Sequence, residues 1–480
     1  MQTITRDDGA GRAAGKRKQL GYGASAWLRA CGMGLAVWVG LADTAVGQQT
    51  LRERIGYDRA LARLGASMPT GAGVVFGHVE GQAGAYRPDL TGRPYESVAF
   101  TLRSGPSEPS SHATQTAQVI YGQTGLAPGV EVVHVMTAGD YLGAQGLRAD
   151  THEPPMGADE EPTAFQPRVY THSWIGDPPE GQAARVLRRV DYQVDTRDVL
   201  VVAGVNNGAE TPVPSLLGSA YNAIAVGAVS GASSGGGTRV EGAGRSKPDV
   251  VAANGLTSFA TPVVAACAAL VLEQGDRLVA AGHAEANRSE VVKAALMGAA
   301  VKPTGWTAAA GRSLDDHLGA GEINLDRALR IMARGPAEAG ETIKTLYGWA
   351  YPTVERGGVA GFDLRLPVDT GPVTFTAVWH RRIDGRTAVV RVSDTGERRA
   401  FWIDAPRLAD VDLRIVSVDQ EAEGGETVVA QSVSQVDNVE HVTLDSLAKG
   451  AYRVELWRDP ERDRLEEGWE VALTWTIERP

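Results

Sequence analysis

The chain has 480 residues, which is long enough for two or three domains and at least one large hydrophobic core. Hydrophobic residues make up 43% and charged residues 22%, and these ordinary values exclude a wholly disordered chain and a polytopic membrane protein. The formal net charge is -11, and no basic stripe with interleaved aromatics occurs, so we expect no nucleic-acid partner. The two cysteines, Cys31 and Cys267, are too few for a disulfide framework or a cysteine-based zinc site.

The amino-terminal region has the pattern of an export signal. Basic residues between Arg12 and Lys18 precede a mostly apolar run at 30–42, and small residues follow at Ala45 and Gly47. We therefore expect residues 1–47 to be a signal peptide and the protein to be exported, to the periplasm or the extracellular space. The alternative is a retained amino-terminal anchor. No later segment approaches about 20 uncharged apolar residues, so the mature chain should contain no membrane span.

The middle of the chain alternates between predicted strands and predicted helices. A short segment, 48–69, contains one predicted helix and is followed by turn residues. Apolar runs typical of buried strands then occur at 74–79, 130–136, 199–205 and 223–229, with helical patterns such as 183–194 between them. This order predicts an α/β domain over residues 70–334, with a doubly wound parallel sheet and helices on both faces. The Ala-rich run 262–272 predicts a helix buried inside that domain.

Composition and periodicity change after residue 334. Six of the ten tryptophans lie beyond residue 340, and apolar residues alternate with polar ones, as in 452–456 and 471–477. We predict a linker at 335–344 and an antiparallel β-sandwich domain at 345–480. Acidic residues at Asp410, Asp412 and Asp437 leave calcium binding open, although solvated loop carboxylates are the simpler explanation.

The strongest local motif surrounds Ser258. The segment 255–262 reads Gly-Leu-Thr-Ser-Phe-Ala-Thr-Pro and leads directly into the predicted buried helix. At a helix amino terminus, unpaired backbone N–H groups and the helix dipole favour a developing negative charge, which suits a nucleophile. The alternative is an ordinary helix cap formed by Ser or Thr, with Pro in the first turn.

Several segments together resemble the motifs of the subtilisin-like serine proteases, in the same order. They lie at 110–117, 125–128, 169–176, 201–208, 255–262 and 319–324. The resemblance covers about residues 70–334 and implies Ser258 as nucleophile and His112 as general base and acid. It also implies Asn206 as donor to the oxyanion, although Val205 stands before it where the family has Gly. Ser173, Trp174 and Gly176 correspond to the family's substrate-binding strand.

One catalytic position departs from the family. Subtilisin-like proteases have Asp at the end of the first strand, where this chain has Glu80. By position Glu80 is the acid that orients His112, and other Ser-His triads use Glu in this role. The alternatives are a structural carboxylate or an inactive site. Period-two alternation also puts His78 on the same strand face, where it could pair with Glu80 and compete with His112.

The sequence therefore predicts an exported serine endopeptidase that acts on polypeptides and requires no cofactor. A catalytically silent fold that binds peptides or surface ligands is the alternative. The segments 410–415, 434–441 and 447–452 resemble bacterial pre-peptidase C-terminal sandwich domains. Since every catalytic motif precedes Arg334, we expect a chain that ends there to fold and keep its catalytic centre. The sequence makes no prediction of oligomeric state.

Overall fold

The computed structural model describes residues 28–30 and 51–480, except 93–94, 144–145, 150, 152, 156–165, 309–312, 392–397 and 419–425. Apart from residues 28–30, the predicted signal peptide lies outside the described residues. The other described residues form two units, an α/β unit at 51–331 and a β unit at 342–477. No helix in the described part of the chain is long and apolar enough to cross a bilayer.

Seven helices and thirteen strands before the β unit have both ends within the described residues, and residues 51–54 are also helical. The helices are α1 Tyr57–Leu64, α2 Ser111–Ile120, α3 Ala138–Leu142, α4 Glu180–Arg197, α5 Thr257–Ala280, α6 Ser289–Gly298 and α7 Leu325–Ile331. The strands are β1 Leu28–Ala30, β2 Val75–Glu80, β3 Ala85–Arg87, β4 Ala99–Leu102, β5 Glu108–Pro109, β6 Val132–Thr137, β7 Val169–His172, β8 Trp174–Gly176, β9 Leu200–Gly204, β10 Ile224–Ala228, β11 Gly236–Gly237, β12 Ser246–Lys247 and β13 Val250–Ala252.

Seven strands of the α/β unit form one parallel sheet in the order β13-β10-β9-β7-β2-β6-β4. One face packs against α5, and its apolar cluster includes Phe76 and Val202. The other face packs against α4, through Val79 and Val201. Successive residues of a strand point to opposite faces, so nearly continuous apolar runs are needed to cover a sheet buried on both sides. The predicted doubly wound α/β fold is confirmed.

The described part of the β unit contains thirteen strands in mostly antiparallel sheets. They are β14 Thr342–Ile343, β15 Tyr347–Ala350, β16 Thr353–Val354, β17 Val359–Leu366, β18 Val373–Val378, β19 Arg382–Arg391, β20 Arg398–Arg407, β21 Val411–Ser417, β22 Thr427–Ser432, β23 Val439–Leu444, β24 Gly450–Arg458, β25 Trp469–Glu470 and β26 Ala472–Ile477. A sheet of order β14-β17-β24-β21-β22 and one of order β15-β26-β18-β23 enclose a shared apolar core. The predicted antiparallel region is confirmed, whereas its identity as a pre-peptidase C-terminal domain stays a prediction.

The two units share part of their hydrophobic core. Helix α6 packs against β18 and β26, and Thr474 Oγ1 donates to the Ala294 carbonyl at 3.1 Å. Trp349 and Ala472 from the β unit belong to the same apolar cluster as the core of the α/β unit. This speaks against the expectation that a chain ending near Arg334 folds by itself. The predicted domain bounds, with a linker at 335–344, remain predictions.

A buried ionic cluster also joins the units. Arg381 of the β unit reaches Asp191 of α4, with Nε 2.7 Å from Oδ2, and its Nη1 lies 2.7 Å from Glu241 Oε2. Asp191 is 0% exposed and Arg381 is 3% exposed, so water screens these charges little. Removing one partner of such a cluster leaves an uncompensated buried charge.

Candidate active site

Glu80 and His112 meet at the carboxyl end of the central strand. Glu80 is the last residue of β2, and His112 lies in the first turn of α2, which Ser110 caps by accepting from the Ala113 N–H. His112 Nδ1 lies 2.7 Å from Glu80 Oε2. The side chain of Glu80 is 5% exposed and that of His112 is 26% exposed, so solvent reaches the imidazole but hardly reaches the carboxylate. A charge-assisted hydrogen bond of this length fixes both the tautomer and the orientation of the ring.

His78 binds the other oxygen of the same carboxylate. Its Nε2 lies 2.9 Å from Glu80 Oε1, and Thr116 Oγ1 lies 3.2 Å from that oxygen. The predicted pairing of His78 with Glu80 therefore occurs. It does not displace His112, because each imidazole has a carboxylate oxygen of its own. The sequence alone could not separate the two cases, since the approach of α2 to β2 is a tertiary feature.

These contacts shift the pKa values of the acid and the base. Burial by itself raises the pKa of Glu80, but the hydrogen bonds from His112 and His78 outweigh it and hold the pKa at about 2. Burial lowers the pKa of His112, yet the hydrogen bond to Glu80 and the carboxylate charge raise it above its ordinary value of 6.5. Glu80 is therefore ionised at neutral pH and positioned to stabilise a cationic His112.

Ser258 is the second residue of α5, a helix that packs against the helix carrying His112. The residue that follows Ser258, Phe259, has its ring centroid 6.0 Å from that of His112. Ser258 is 1% exposed, and its carbonyl accepts a hydrogen bond from Ser173 Oγ at 2.8 Å. His112 Nε2 is a buried nitrogen with no hydrogen-bond partner among the residues that the structure describes. Catalytic hydrogen bonds are often long before substrate binds, so this geometry is compatible with a serine and its base.

Asn206 and Asn207 make different contacts in the structure, and the role of Asn206 as oxyanion donor stays a prediction. The backbone N–H of Asn206, the predicted oxyanion donor, donates to Ser234 Oγ at 3.0 Å, and its carbonyl accepts from the Ser234 N–H at 2.9 Å. Asn207 is the residue whose side chain faces the serine helix, since its Oδ1 accepts from the Thr257 N–H at 2.9 Å. Asn207 Nδ2 is buried and has no hydrogen-bond partner within the described part of the chain.

The predicted substrate-binding strand is β8, and it has two hydrogen-bonded neighbours. Gly176 forms an antiparallel bridge with Leu216 on one side. On the other side β1 pairs antiparallel, with Leu28 opposite Gly176 and Ala30 opposite Trp174. The Trp174 side chain is 0% exposed and lies in the core between the sheet and α4, so it is not an open pocket wall. The edge of β8 therefore accepts an extended chain segment.

The acidic residues considered for calcium have protein partners. Asp412 is paired with Arg462, and Asp410 Oδ2 lies 3.5 Å from Arg462 Nε. Asp437 Oδ1 accepts from the Ser246 N–H at 2.9 Å. Among the residues that the structure describes, no group of three or more His, Cys, Asp or Glu side chains could hold a metal ion.

The sequence of residues 101–321 matches the model of the subtilase family. The chain contains a subtilase-family domain. The match includes His112, Ser173, both asparagines and Ser258, while Glu80 lies before it. No curated protein matches the chain.

Solved structures similar to the chain include several proteases. The patellamide maturation protease PatA is 18% identical, with a TM-score of 0.38, and the match covers 55% of this chain and 98% of that chain. The prenylagaramide maturation protease PagA is 19% identical, with a TM-score of 0.36, at 56% and 98% coverage. Fervidolysin from Fervidobacterium pennivorans, a keratinolytic enzyme related to subtilisin, is 15% identical, with a TM-score of 0.38, at 88% and 80% coverage. These identities and TM-scores are too low for any property of these proteases to be assigned to this chain.

Proposed function

We propose that the protein is an exported serine endopeptidase that hydrolyses peptide bonds through an acyl-enzyme on Ser258. The observation that carries the proposal is the 2.7 Å contact between His112 Nδ1 and Glu80 Oε2, beside the helix that begins at Thr257. A base oriented by a buried carboxylate next to a serine at a helix amino terminus is the arrangement that nucleophilic acyl transfer needs. The family of residues 101–321 agrees with this chemistry.

The proposed bond-forming and proton-transfer steps use three side chains. Ser258 Oγ attacks the scissile carbonyl carbon, and His112 Nε2 takes the hydroxyl proton. Glu80 holds the proton on His112 Nδ1 and stabilises the imidazolium that forms. The imidazolium then gives its proton to the leaving amine, and a water molecule hydrolyses the acyl-enzyme with His112 again acting as base.

We assign the oxyanion contact to Asn207 in place of the predicted Asn206. Its Nδ2 is a buried donor without a partner in the structure, and its Oδ1 is held by the Thr257 N–H. The backbone N–H of Ser258, at the start of α5, is the second donor. Removal of one donor from such a preorganised pair costs about two to three decades in turnover.

The substrate is proposed to bind along β8 as an antiparallel strand. The pairing of β1 with Trp174–Gly176 supports this, because it uses the backbone groups that an extended peptide would use. β1 lies inside the predicted signal peptide, so cleavage near Gln48 would leave this edge to the substrate.

A fluorophosphonate probe tests the proposal. The purified protein should become labelled on Ser258 and should hydrolyse fluorescently labelled casein, and Ser258→Ala should lose both activities while it keeps its fold. Loss of the serine hydroxyl costs at most about 2 kcal/mol even if it caps the helix. Casein hydrolysis by the pure Ser258→Ala protein would remove Ser258 from the mechanism. Absence of any labelling of the wild type would favour a silent peptide-binding protein.

A further inference from the structure

Glu80 has more hydrogen-bond partners than the proposed mechanism uses. His112 Nδ1 lies 2.7 Å from Oε2, whereas His78 Nε2 lies 2.9 Å from Oε1. Thr116 Oγ1 completes the group, 3.2 Å from Oε1 and 3.1 Å from His78 Nε2. The carboxylate is thus held between two imidazoles, and only one of them belongs to the proposed triad.

The fold fixes His78 as firmly as it fixes Glu80. Both lie on β2, which pairs with β6 on one side and β7 on the other, so neither residue can move along the sheet. Gly77 precedes His78 and lies against Tyr170, whose ring leaves no room for a Cβ at that position. The His78 side chain is 1% exposed, with its ring centroid 5.9 Å from that of Tyr121. His78 is therefore a rigid part of the sheet.

The surroundings of His78 select its tautomer. Its Nδ1 is buried and has no hydrogen-bond partner in the structure. A proton on Nδ1 would be an unpaired buried donor, which is unfavourable, so the proton lies on Nε2 and is donated toward Glu80 Oε1. With Oε1 bound in this way, Oε2 is the oxygen left to accept the proton from His112 Nδ1.

We propose that His78 is a positioning residue that fixes the Glu80 carboxylate so that Oε2 faces His112. This inference rests on the proposed function. Glutamate has one more rotatable bond than aspartate, so a triad acid of this length needs a second anchor to keep one rotamer. His78 touches the acid and acts on Ser258 only through Glu80 and His112, so its loss should affect turnover and spare substrate binding.

Two amide substitutions at position 78 form a matched pair. The glutamine amide nitrogen can take the place of His78 Nε2, so His78→Gln keeps a donor to Glu80. The asparagine side chain is shorter and reaches only the place of Nδ1, so His78→Asn loses that donor. His134 provides a control, because this 5% exposed histidine lies on the adjacent strand β6 opposite Gly77 and accepts from Arg103 Nε.

The experiment measures fluorophosphonate labelling of Ser258 in the full-length protein and resolves the maximal rate, kinact, from the half-saturating concentration, KI. His78→Asn should lower kinact by about 10- to 100-fold with an unchanged KI, since a small misplacement of catalytic groups costs up to about that factor. His78→Gln should restore most of the rate, and His134→Gln should match the wild type. Circular dichroism and urea unfolding will establish that each variant is folded.

Other outcomes would contradict the proposed role of His78. Wild-type kinact in folded His78→Asn, or equal losses in the Asn and Gln variants, would overturn the positioning role and leave the proposed function intact. If the asparagine variant does not fold, His78→Gln still decides, because a glutamine variant with a kinact as low as that of Glu80→Gln contradicts the proposal. A wild type that shows no Ser258-dependent labelling would instead overturn the proposed function, and the role of His78 would fall with it.

Discussion

Replacement of Glu80 by Gln removes one charge and retains the shape of the side chain. Glutamine has a single oxygen, whereas Glu80 accepts from His112 through Oε2 and from His78 through Oε1. Whichever way the amide is turned, one histidine faces an N–H group in place of an acceptor. If that histidine is His112, its Nδ1 loses the acceptor that keeps the proton there, and the tautomer with an unprotonated Nε2 is no longer favoured.

The size of the effect follows from the charge that develops on His112. An imidazolium about 4 Å from a carboxylate is stabilised by about 4 kcal/mol at an effective dielectric constant of about 20. At 1.36 kcal/mol per decade, this corresponds to about three decades in kcat. The acid-to-amide change in a chymotrypsin-type triad costs about four decades, so we expect a loss of two to four decades for Glu80→Gln.

Casein hydrolysis and fluorophosphonate labelling will measure this loss. Glu80→Asp is the matched control, because it keeps the charge and has the residue usual in the family, and it should retain more activity than Glu80→Gln. Both variants must be shown to be folded, since Glu80 is a buried hydrogen-bond acceptor. A folded Glu80→Gln protein with near wild-type kcat would refute the role of Glu80 as orienting acid.

Three further predictions concern stability. A chain that ends at Arg334 should be insoluble or inactive, because α6 loses its cover, and an active soluble fragment would contradict the shared core. Arg381→Ala should cost about 3 to 5 kcal/mol in urea unfolding, since Asp191 is left as an unpaired buried charge, whereas exposed Arg386→Ala should cost under about 0.5 kcal/mol. Burial lowers the pKa of His172 to about 3, and the unfolded chain takes up this proton below its ordinary value of 6.5. The free energy of unfolding should therefore fall as pH drops from 6.5 towards 3, and a flat urea profile would contradict it.

Sequence patterns predicted the strands of the parallel sheet well, because a strand buried on both faces has a nearly continuous run of apolar residues. The apolar run 74–79 predicts the strand found at Val75–Glu80, and the run 223–229 predicts Ile224–Ala228. The buried helix predicted at 262–272 extends over Thr257–Ala280, and its last turns carry the half-buried Asp276 and the exposed Arg277, which lie outside the apolar run. Periodicity thus located the elements, and their ends depended on local contacts.

The finer parts of the site depended on tertiary structure. Period-two alternation correctly put His78 beside Glu80, but only the approach of α2 reveals that His112 takes the other oxygen. The proposed choice of Asn207 over Asn206 rests on the contact of the Asn207 side chain with the Thr257 N–H, and two adjacent identical residues carry no distinguishing sequence pattern. The packing of α6 against β18 and β26 joins segments far apart in the sequence, so local sequence patterns could not predict it.

The contact between Thr474 and Ala294 has a consequence for biosynthesis. These residues are 180 positions apart, and the strand that carries Thr474 covers α6. At about 5 to 20 residues per second, the ribosome needs roughly 10 to 40 s to make that stretch. During this time the nascent subtilase domain has its catalytic segments but an open core. The α/β unit therefore completes its core only near the end of translation, after β26 has been made.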